Sequence, residues 1–526
     1  MASDLKAGEI LLVENESLPH LLKDDSFVKA LSEQLKIFLP SKRWYGAKDD
    51  VIASILPEKT VPVGDVIITV VRVRLESGDE PLYAIPLRLI WGDDARALFA
   101  THPRAVVATV CFGQKLGVVY DAMGDASFSA RVVSLMTGDA REPAGGDVLR
   151  ASSTAKGKAL GEDTKNAEHK LLGVEQSNSS IVVGHKMILK MYRRVAYGHH
   201  PEIATTCFLT EEAAFENTPA YLGAAELECS DGQTLALGIL QEFVPNQGDG
   251  WNYTMNYLKK FFADALSKQI SGDYHRGYLD MVRTLGVRTA EMHRAFAKGT
   301  DAVFSPEPVT AEDLNSWREQ VRAQAAKTRD VIENGLENLS GDIRVKTGKL
   351  LKHWDDLAGR INALVPSEVD AAKTRFHGDY HLGQVVVAGN DFYILDFEGE
   401  PLRPLMERQI KHTVLKDVAG MVRSFDYAAF GALLMYVVPE HRAVLTPLVS
   451  DWQAQATAAF LAGYFDAMDG CRSLPADRRT AQDILDLFIL EKALYEVVYE
   501  VSNRPDWVAI PVNGMARLVD LDGESK

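Results

Sequence analysis

Asp379, Gln384 and Asp396 are the residues whose types and spacing suggest joint chemistry. Four residues separate Asp379 from Gln384 in His377-Gly-Asp-Tyr-His-Leu-Gly-Gln384. In phosphoryl-transfer loops that interval lies between a carboxylate that takes the acceptor's hydroxyl proton and an amide side chain that binds Mg²⁺. Here Gln stands where Asn is usual. Asp396, in Asp-Phe-Glu-Gly-Glu400, supplies a second oxygen ligand, and Mg²⁺ needs only one or two protein carboxylates beside phosphate and water. Glu398 or Glu400 adds charge nearby. Either segment alone reads as a polar turn; in this order they make ATP and Mg²⁺ the expected cofactors.

Between the two segments, Val385-Val-Val387 and Phe392-Tyr-Ile-Leu395 flank a Gly389-Asn-Asp391 turn. This predicts a short hairpin that returns Asp396 beside Gln384. Upstream, Val66–Leu75 and 81–90 are β-branched, apolar runs broken at Ser77-Gly78, which predicts strands in a sheet. The Gly- and Ala-rich stretch 137–166 reads as a linker. Residues 171–192 predict two or three strands with turns at Ser177-Asn178 and Gly184-His185. Lys190, at the end of one of these strands, is placed as kinase-like folds place the lysine for the α- and β-phosphates, although an isolated edge lysine more often snorkels. One hairpin earlier, Ser177, Asn178, Ser179 and Ser180 form a small polar turn whose backbone N–H groups can approach phosphates.

The helix around residues 490–503 offers a binding face. At about 100° per residue, Leu490, Leu494, Val497 and Val501 form one apolar stripe, and Lys492, Tyr495, Glu496, Tyr499 and Asn503 lie opposite. Aromatic planes among donors and acceptors suit pyranose rings, although two tyrosines snorkelling on a solvated face are the plain alternative. Arg423, Asp426 and Tyr427 are weaker candidates for the same pocket. Residues 308–366 predict one or two buttressing helices, and His293 a hydrogen-bonded packing residue on an amphipathic helix.

The composition narrows the classes. With 526 residues, 46% hydrophobic and 25% charged, the chain is long enough for two or three domains with their own cores. A formal net charge of −16 opposes a nucleic-acid or anionic-membrane partner. Four scattered cysteines fit neither a disulfide framework nor a zinc site. No apolar signal core opens the sequence, and the longest apolar run, 428–438, is too short to span a bilayer, so the expected location is cytoplasmic.

His377-Gly-Asp-Tyr-His-Leu-Gly-Gln384 with Ile394-Leu-Asp-Phe-Glu-Gly-Glu-Pro401 resembles the maltokinase (maltose 1-kinase) family, whose members resemble aminoglycoside phosphotransferases in fold. Leu39-Pro-Ser-Lys-Arg-Trp-Tyr-Gly-Ala-Lys48, Ile188-Leu-Lys-Met-Tyr-Arg-Arg194, Phe243-Val-Pro-Asn-Gln-Gly248 and Asn503-Arg-Pro-Asp-Trp507 extend the likeness. It implies an α+β, bilobal, protein-kinase-like fold with an N-terminal β-rich cap. The expected domains are a cap over 1–140, a small lobe over 167–245 and a helical large lobe over 246–526. It also implies ATP-dependent phosphorylation of maltose at the anomeric hydroxyl, giving maltose 1-phosphate for α-glucan synthesis from trehalose-derived maltose, and an association with trehalose synthase. ATP is then expected between the lobes, with the backbone of Glu242 and Val244 at the adenine, Asp379 as base and His381 on the sugar. Members carry a Glu early in the helix after the lysine strand, three residues before an Arg. Ala204 and Cys207 stand there, leaving Glu202, Glu211 or Glu212 as candidate partners of Lys190. The residues themselves leave open a kinase for another sugar or amino sugar, or a nucleotide-binding pseudokinase.

Overall fold

The structure is a computed structural model that describes residues 10–173, 178–270, 272–339, 341–400 and 403–518. The chain forms two compact units, Met1–Cys207 with Pro219–Val244, and Phe208–Thr218 with Pro245–Lys526.

Among the described residues, the first unit holds two seven-stranded sheets. One is ordered Leu11–Leu12, Val106–Phe112, Lys115–Asp121, Leu82–Trp91, Val66–Leu75, Ile52–Val63, and the short strand Arg194–Val195 also pairs with Leu82–Trp91. The period-2 pattern of Val66–Leu75 explains its place in the middle of the unit. Val66, Ile68 and Val70 enter a core shared with the second sheet, whereas Ile67, Val71 and Val73 pack in a separate core with Phe27, Leu31 and Leu35 of the helix Asp25–Phe38. Asp24 caps that helix, its carboxylate accepting the Ser26 N–H at 2.8 Å.

The second sheet runs Arg141–Ala144, Asp147–Ser153, Tyr221–Glu228, Thr234–Glu242, Met187–Tyr192, Asn178–Val183, His169–Leu171. The expected linker over 137–166 is therefore folded. Gly145, at φ +70°, turns a hairpin whose Leu149 and Ala151 enter the shared core, and the helix Ala155–Asp163 follows. Gly145 serves the tight turn while Gly157 and Gly161 lie in that helix, and the alanine-rich composition concealed the strand alternation. Cap and small lobe are thus continuous in one unit.

The second unit is mainly helical. Among the described residues, 308–366 hold three α-helices, Ala311–Gly335, Gly341–Lys352 and Trp354–Leu364, where one or two were expected; a 3-10 turn at Leu336–Asn338 and the non-helical His353 interrupt the run. Leu415–Tyr436 is long and apolar enough to cross a membrane by length and composition, but 72% of its apolar window is buried inside this unit as a core helix. Helices Arg276–Phe296 and Pro439–Ala467 approach closely through glycines. A Cβ on Gly286 would lie 2.1 Å from the Phe460 carbonyl oxygen, and one on Gly463 would lie 2.2 Å from that of Arg283. Since Arg276–Phe296 also carries Thr289 and His293, its seating bears on the site described next. Gly286→Ala is expected to destabilise the protein by about 1–3 kcal/mol through overpacking, read as a lower urea midpoint and melting temperature.

Candidate active site

The loop carrying Asp379 is fastened by its backbone. Asp417, buried on the helix Leu415–Tyr436, accepts the His377 N–H at 2.7 Å and the Gly378 N–H at 2.9 Å. His293 Nε2 lies 3.1 Å from the same carboxylate, while its Nδ1 meets the Tyr464 hydroxyl at 2.9 Å. His293 is thus a buried, hydrogen-bonded packing residue with a supporting task. The same helix face continues with Gly420, where a Cβ would strike the Tyr380 carbonyl at 2.5 Å, and Ser424, whose Oγ accepts the Leu382 N–H at 3.1 Å. Positions 417, 420 and 424 follow helical spacing, so one stripe of that helix receives the loop.

His377 ties the loop to the second acidic segment. Its Nδ1 accepts the Asp379 N–H at 3.3 Å, so Nε2 carries the hydrogen and donates to the Leu395 carbonyl at 2.8 Å. Gly378, at φ +86°, faces Gly399, at φ +70°, and a Cβ on Gly378 would come within 3.3 Å of Gly399 Cα. Only glycine suits that positive-φ close approach.

The predicted hairpin forms from Val385–Ala388 and Asp391–Ile394, with Val385 opposite Ile394 and both Gly389 and Asn390 at positive φ. It returns Asp396 to Gln384. The Gln384 amide N–H donates to Asp396 Oδ2 at 3.1 Å, which leaves its carbonyl oxygen as the atom that would face a cation. Asp396 and buried Glu398 offer carboxylate oxygens within 4.8 Å of each other. Two carboxylates and an amide oxygen are hard donors suited to Mg²⁺, so these three residues fit the cation that phosphoryl transfer needs. Asp396 stands at φ +67°, an uncommon conformation for an aspartate.

Asp379 and His381 open onto a cavity of about 720 Å³ within the second unit. The Asp379 carboxylate lies 3.9 Å from His381 Nε2. His381 Nδ1 accepts the Gly383 N–H at 3.0 Å, so its Nε2–H is directed to the base side. Burial lowers the His381 pKa below 6.5 against the opposing pull of Asp379, with Asp396 a smaller contributor, and the ring is neutral at pH 7.

Lys492, Tyr495, Glu496 and Tyr499, all on the helix Arg478–Asn503, line this cavity, as does Tyr427. Four features here went unread in the sequence. Glu500, fully buried, accepts the Tyr427 hydroxyl at 3.0 Å and Arg504 Nη2 at 2.7 Å. Arg504 stacks 4.8 Å from the Trp507 ring centre and 5.4 Å from that of Tyr499. Trp507 lies nearly parallel to Tyr427, with ring centres 6.3 Å apart. Asp417 was the fourth. The Asn503-Arg-Pro-Asp-Trp507 string was a signal for this wall, and the 417/420/424 stripe one for the clamp.

Arg423 is not a cavity residue. Its guanidinium is buried, bonded to Glu496 Oε2 from Nε at 2.9 Å and Nη2 at 2.7 Å, with Asp426 on Nη1. Burial opposes the Arg423 charge, but the two carboxylates outweigh it and hold the arginine protonated. Arg423 therefore fixes Glu496 from behind, and Asp426 is part of the same buried ion cluster.

In the first unit, Lys190 Nζ bonds Glu202 Oε1 at 2.9 Å, and the Tyr192 hydroxyl bonds Glu202 Oε2 at 2.8 Å. Glu202 is thus a partner of Lys190, two residues before the position where the resemblance expected one. The expected phosphate turn needs correction. Ser177 lies outside the described residues, and Asn178, Ser179 and Ser180 are strand residues paired with Tyr192, Met191 and Lys190. Ser179 is buried, its Oγ accepting Arg193 Nε at 2.9 Å. Small polar residues serve a strand as well as a turn, and ladder pairing claimed these three. Glu242 ends the strand Thr234–Glu242, its N–H donating to Ala220 O at 2.9 Å and its carboxylate bonding Lys156 at 2.6 Å; Val244 follows.

Comparisons with known proteins agree with this architecture. The fold and site define a mixed α and β, bilobal, kinase-like protein with an N-terminal β cap. Residues 38–125 match the family described as the maltokinase N-terminal cap domain. The glucosamine kinase of Mycolicibacterium smegmatis is 26% identical over 378 residues, which is 70% of this chain and 82% of that protein. That of Streptacidiphilus jiangxiensis is 24% identical over 345 residues, 64% of this chain and 70% of the relative. A solved glucosamine kinase superposes with a TM-score of 0.61 at 18% identity, covering 92% of this chain and 99% of its own; a complex with glucosamine, ADP and inorganic phosphate gives 0.59, covering 92% and 98%. These superpositions share the fold.

One buried group makes stability pH-dependent. His412, stacked 4.8 Å from Trp317, has its pKa held well below the ordinary 6.5 by burial, reinforced by Lys416 and Lys373. The unfolded chain protonates this ring as the pH falls through 6.5 while the native chain keeps it neutral, so acidification favours unfolding. The urea midpoint is expected to fall between about pH 7.5 and about pH 5, with a smaller fall in His412→Gln.

Proposed function

We propose that the protein is an ATP-dependent sugar kinase whose acceptor is maltose, phosphorylated at the anomeric hydroxyl. The observation that carries this reading is the cavity in which Asp379 and His381 share walls with Tyr427, Tyr495, Tyr499 and Trp507. At about 720 Å³ it lies within the range of small-molecule sites and has room for two linked pyranose rings. Aromatic faces pack on sugar C–H surfaces while Lys492, Glu496 and Glu500 address hydroxyls. The maltokinase-type cap over 38–125 supports the maltose assignment. A second acceptor, glucosamine, is favoured by the names of the relatives, while the wall carboxylates Glu400, Glu491 and Glu500 are paired with Arg403, Lys416 and Arg504.

In this mechanism Asp379 receives the proton of the anomeric hydroxyl as that oxygen bonds the γ-phosphorus and the bond to the β,γ-bridging oxygen breaks, releasing ADP. His381, held as its Nε2–H tautomer, orients the hydroxyl against the base. Lys190, steadied by Glu202, neutralises phosphate charge. A Mg²⁺ held by Asp396, Gln384 and Glu398 would supply further neutralisation when bound. The chain's share of the acceleration is positioning and charge placement. On this reading the protein works in the cytoplasm, in association with trehalose synthase.

An ADP-release screen over maltose, glucosamine, glucose and trehalose is expected to show turnover with maltose. Turnover confined to glucosamine would favour the second acceptor, and none with any sugar would overturn the kinase reading. Asp379→Asn is expected to lower kcat by about 10²–10⁴-fold with nucleotide binding intact. Unchanged turnover would remove Asp379 from the chemistry.

A further inference from the structure

The strand that carries Lys190 is gripped on its other face by the cap. Successive side chains of Met187–Tyr192 alternate, so Lys190 and Tyr192 share one face, where both reach Glu202 at 2.9 and 2.8 Å. Met191 and Arg193 face the other way. Arg193 is only 1% exposed, and its guanidinium is forked onto the Asp121 carboxylate, Nη2 to Oδ2 at 2.9 Å and Nη1 to Oδ1 at 3.2 Å. Its Nε donates to Ser179, and its Cζ lies 4.7 Å from the Trp44 ring centre.

Just beyond Tyr192 the backbone passes from the second sheet to the cap sheet, while the Arg193 Nε–Ser179 bond ties it back to the second. The Asn178–Val183 ladder ends at the pair Asn178 with Tyr192, and the Thr234–Glu242 ladder ends at Met191 with Gly238. After that the Arg193 carbonyl accepts the Ala84 N–H at 2.8 Å, and Arg194 and Val195 pair with Tyr83 and Leu82. Trp44 is itself packed on Tyr83, with ring centres 6.0 Å apart, and Tyr45 is 5.2 Å from the same ring. A buried bidentate arginine–carboxylate pair tolerates one geometry, because a shift leaves charge and donors unpaired in an apolar setting. The rotation of the strand end, and hence the direction of Lys190, is coupled to that pair.

We propose that Trp44, Asp121 and Arg193 are positioning residues for Lys190, so that the cap sets how well the protein holds nucleotide phosphates. The proposal rests on the nucleotide role of Lys190 in the kinase reading. It also gives the Leu39–Lys48 segment a task, since Trp44 forms one wall of the grip.

A double-mutant cycle on the full chain tests it, with Mg·ATP binding followed by calorimetry and KM values for ATP and for the sugar acceptor measured in parallel. Asp121→Asn is expected to weaken ATP binding by about tenfold with the sugar KM unchanged. In a Lys190→Met background the same change is expected to cost less than about twofold, because its effect runs through the lysine. Equal losses in both backgrounds, or a parallel rise in both KM values, would assign Asp121 a merely structural role and overturn the proposal. Wild-type affinity in Asp121→Asn would do the same. If Asp121→Asn gives no cooperative melt, Trp44→Phe and Arg193→Lys carry the cycle under the same criteria. Failure of the wild type to bind ATP at all would instead overturn the kinase reading, and this proposal with it.

Discussion

A single buried carboxylate, Asp417, holds the loop on which the chemistry depends. Two consecutive backbone N–H groups, those of His377 and Gly378, end on its two oxygens, and His293 braces it from an adjacent helix. Left unmade, such buried donors cost about 1–3 kcal/mol each, so the loop has a strong preference for this one arrangement. Asp379 follows directly, and its orientation is inherited from that clamp. His377 carries the constraint onward to Leu395, the residue before Asp396. Asp379 and the candidate cation ligands are therefore parts of one hydrogen-bonded unit, supported by the helix Leu415–Tyr436.

The same helix serves two layers. Asp417, Gly420 and Ser424 receive the loop, Tyr427 reaches the cavity, and Arg423 turns toward the buried Glu496 and Asp426. Its apolar composition is that of a core helix, yet its polar residues are among the most constrained in the protein. Charges buried this deeply are costly unless paired, and Arg423 with Glu496 shows how the cost is met: one guanidinium supplies two bonds to a carboxylate that also faces the cavity. Lys190 with Glu202 follows the same logic in the first unit, where a buried acid makes an exact direction for the lysine possible.

Much of the site was legible because its residues are local. Asp379, Gln384 and Asp396 lie within 18 residues of one another, a hairpin with a Gly-Asn turn joins them, and two short apolar runs give both strands. The cavity face of the helix Arg478–Asn503 was legible for the same reason, since an amphipathic period marks it. What escaped were partners distant in sequence. The 417/420/424 spacing marks one face of a helix, but nothing local says that Asp417 accepts from amides about 40 residues away. Arg423 read as a candidate for the pocket itself because its partner, Glu496, is 73 residues further on. The Asn178–Ser180 stretch and the 137–166 segment failed differently: small residues satisfy turns, linkers and strands alike, and only pairing with Met187–Tyr192 and Tyr221–Glu228 decides between them.

Amide hydrogen exchange across residues 375–384, compared between the wild type and Asp417→Asn, measures the clamp directly. The account predicts that the His377 and Gly378 amides of the wild type exchange only through large-scale opening, and that in the variant both exchange at the rate of an exposed loop while the core helices stay protected. Rapid exchange of these two amides in the wild type, or equal protection in the variant, would contradict it.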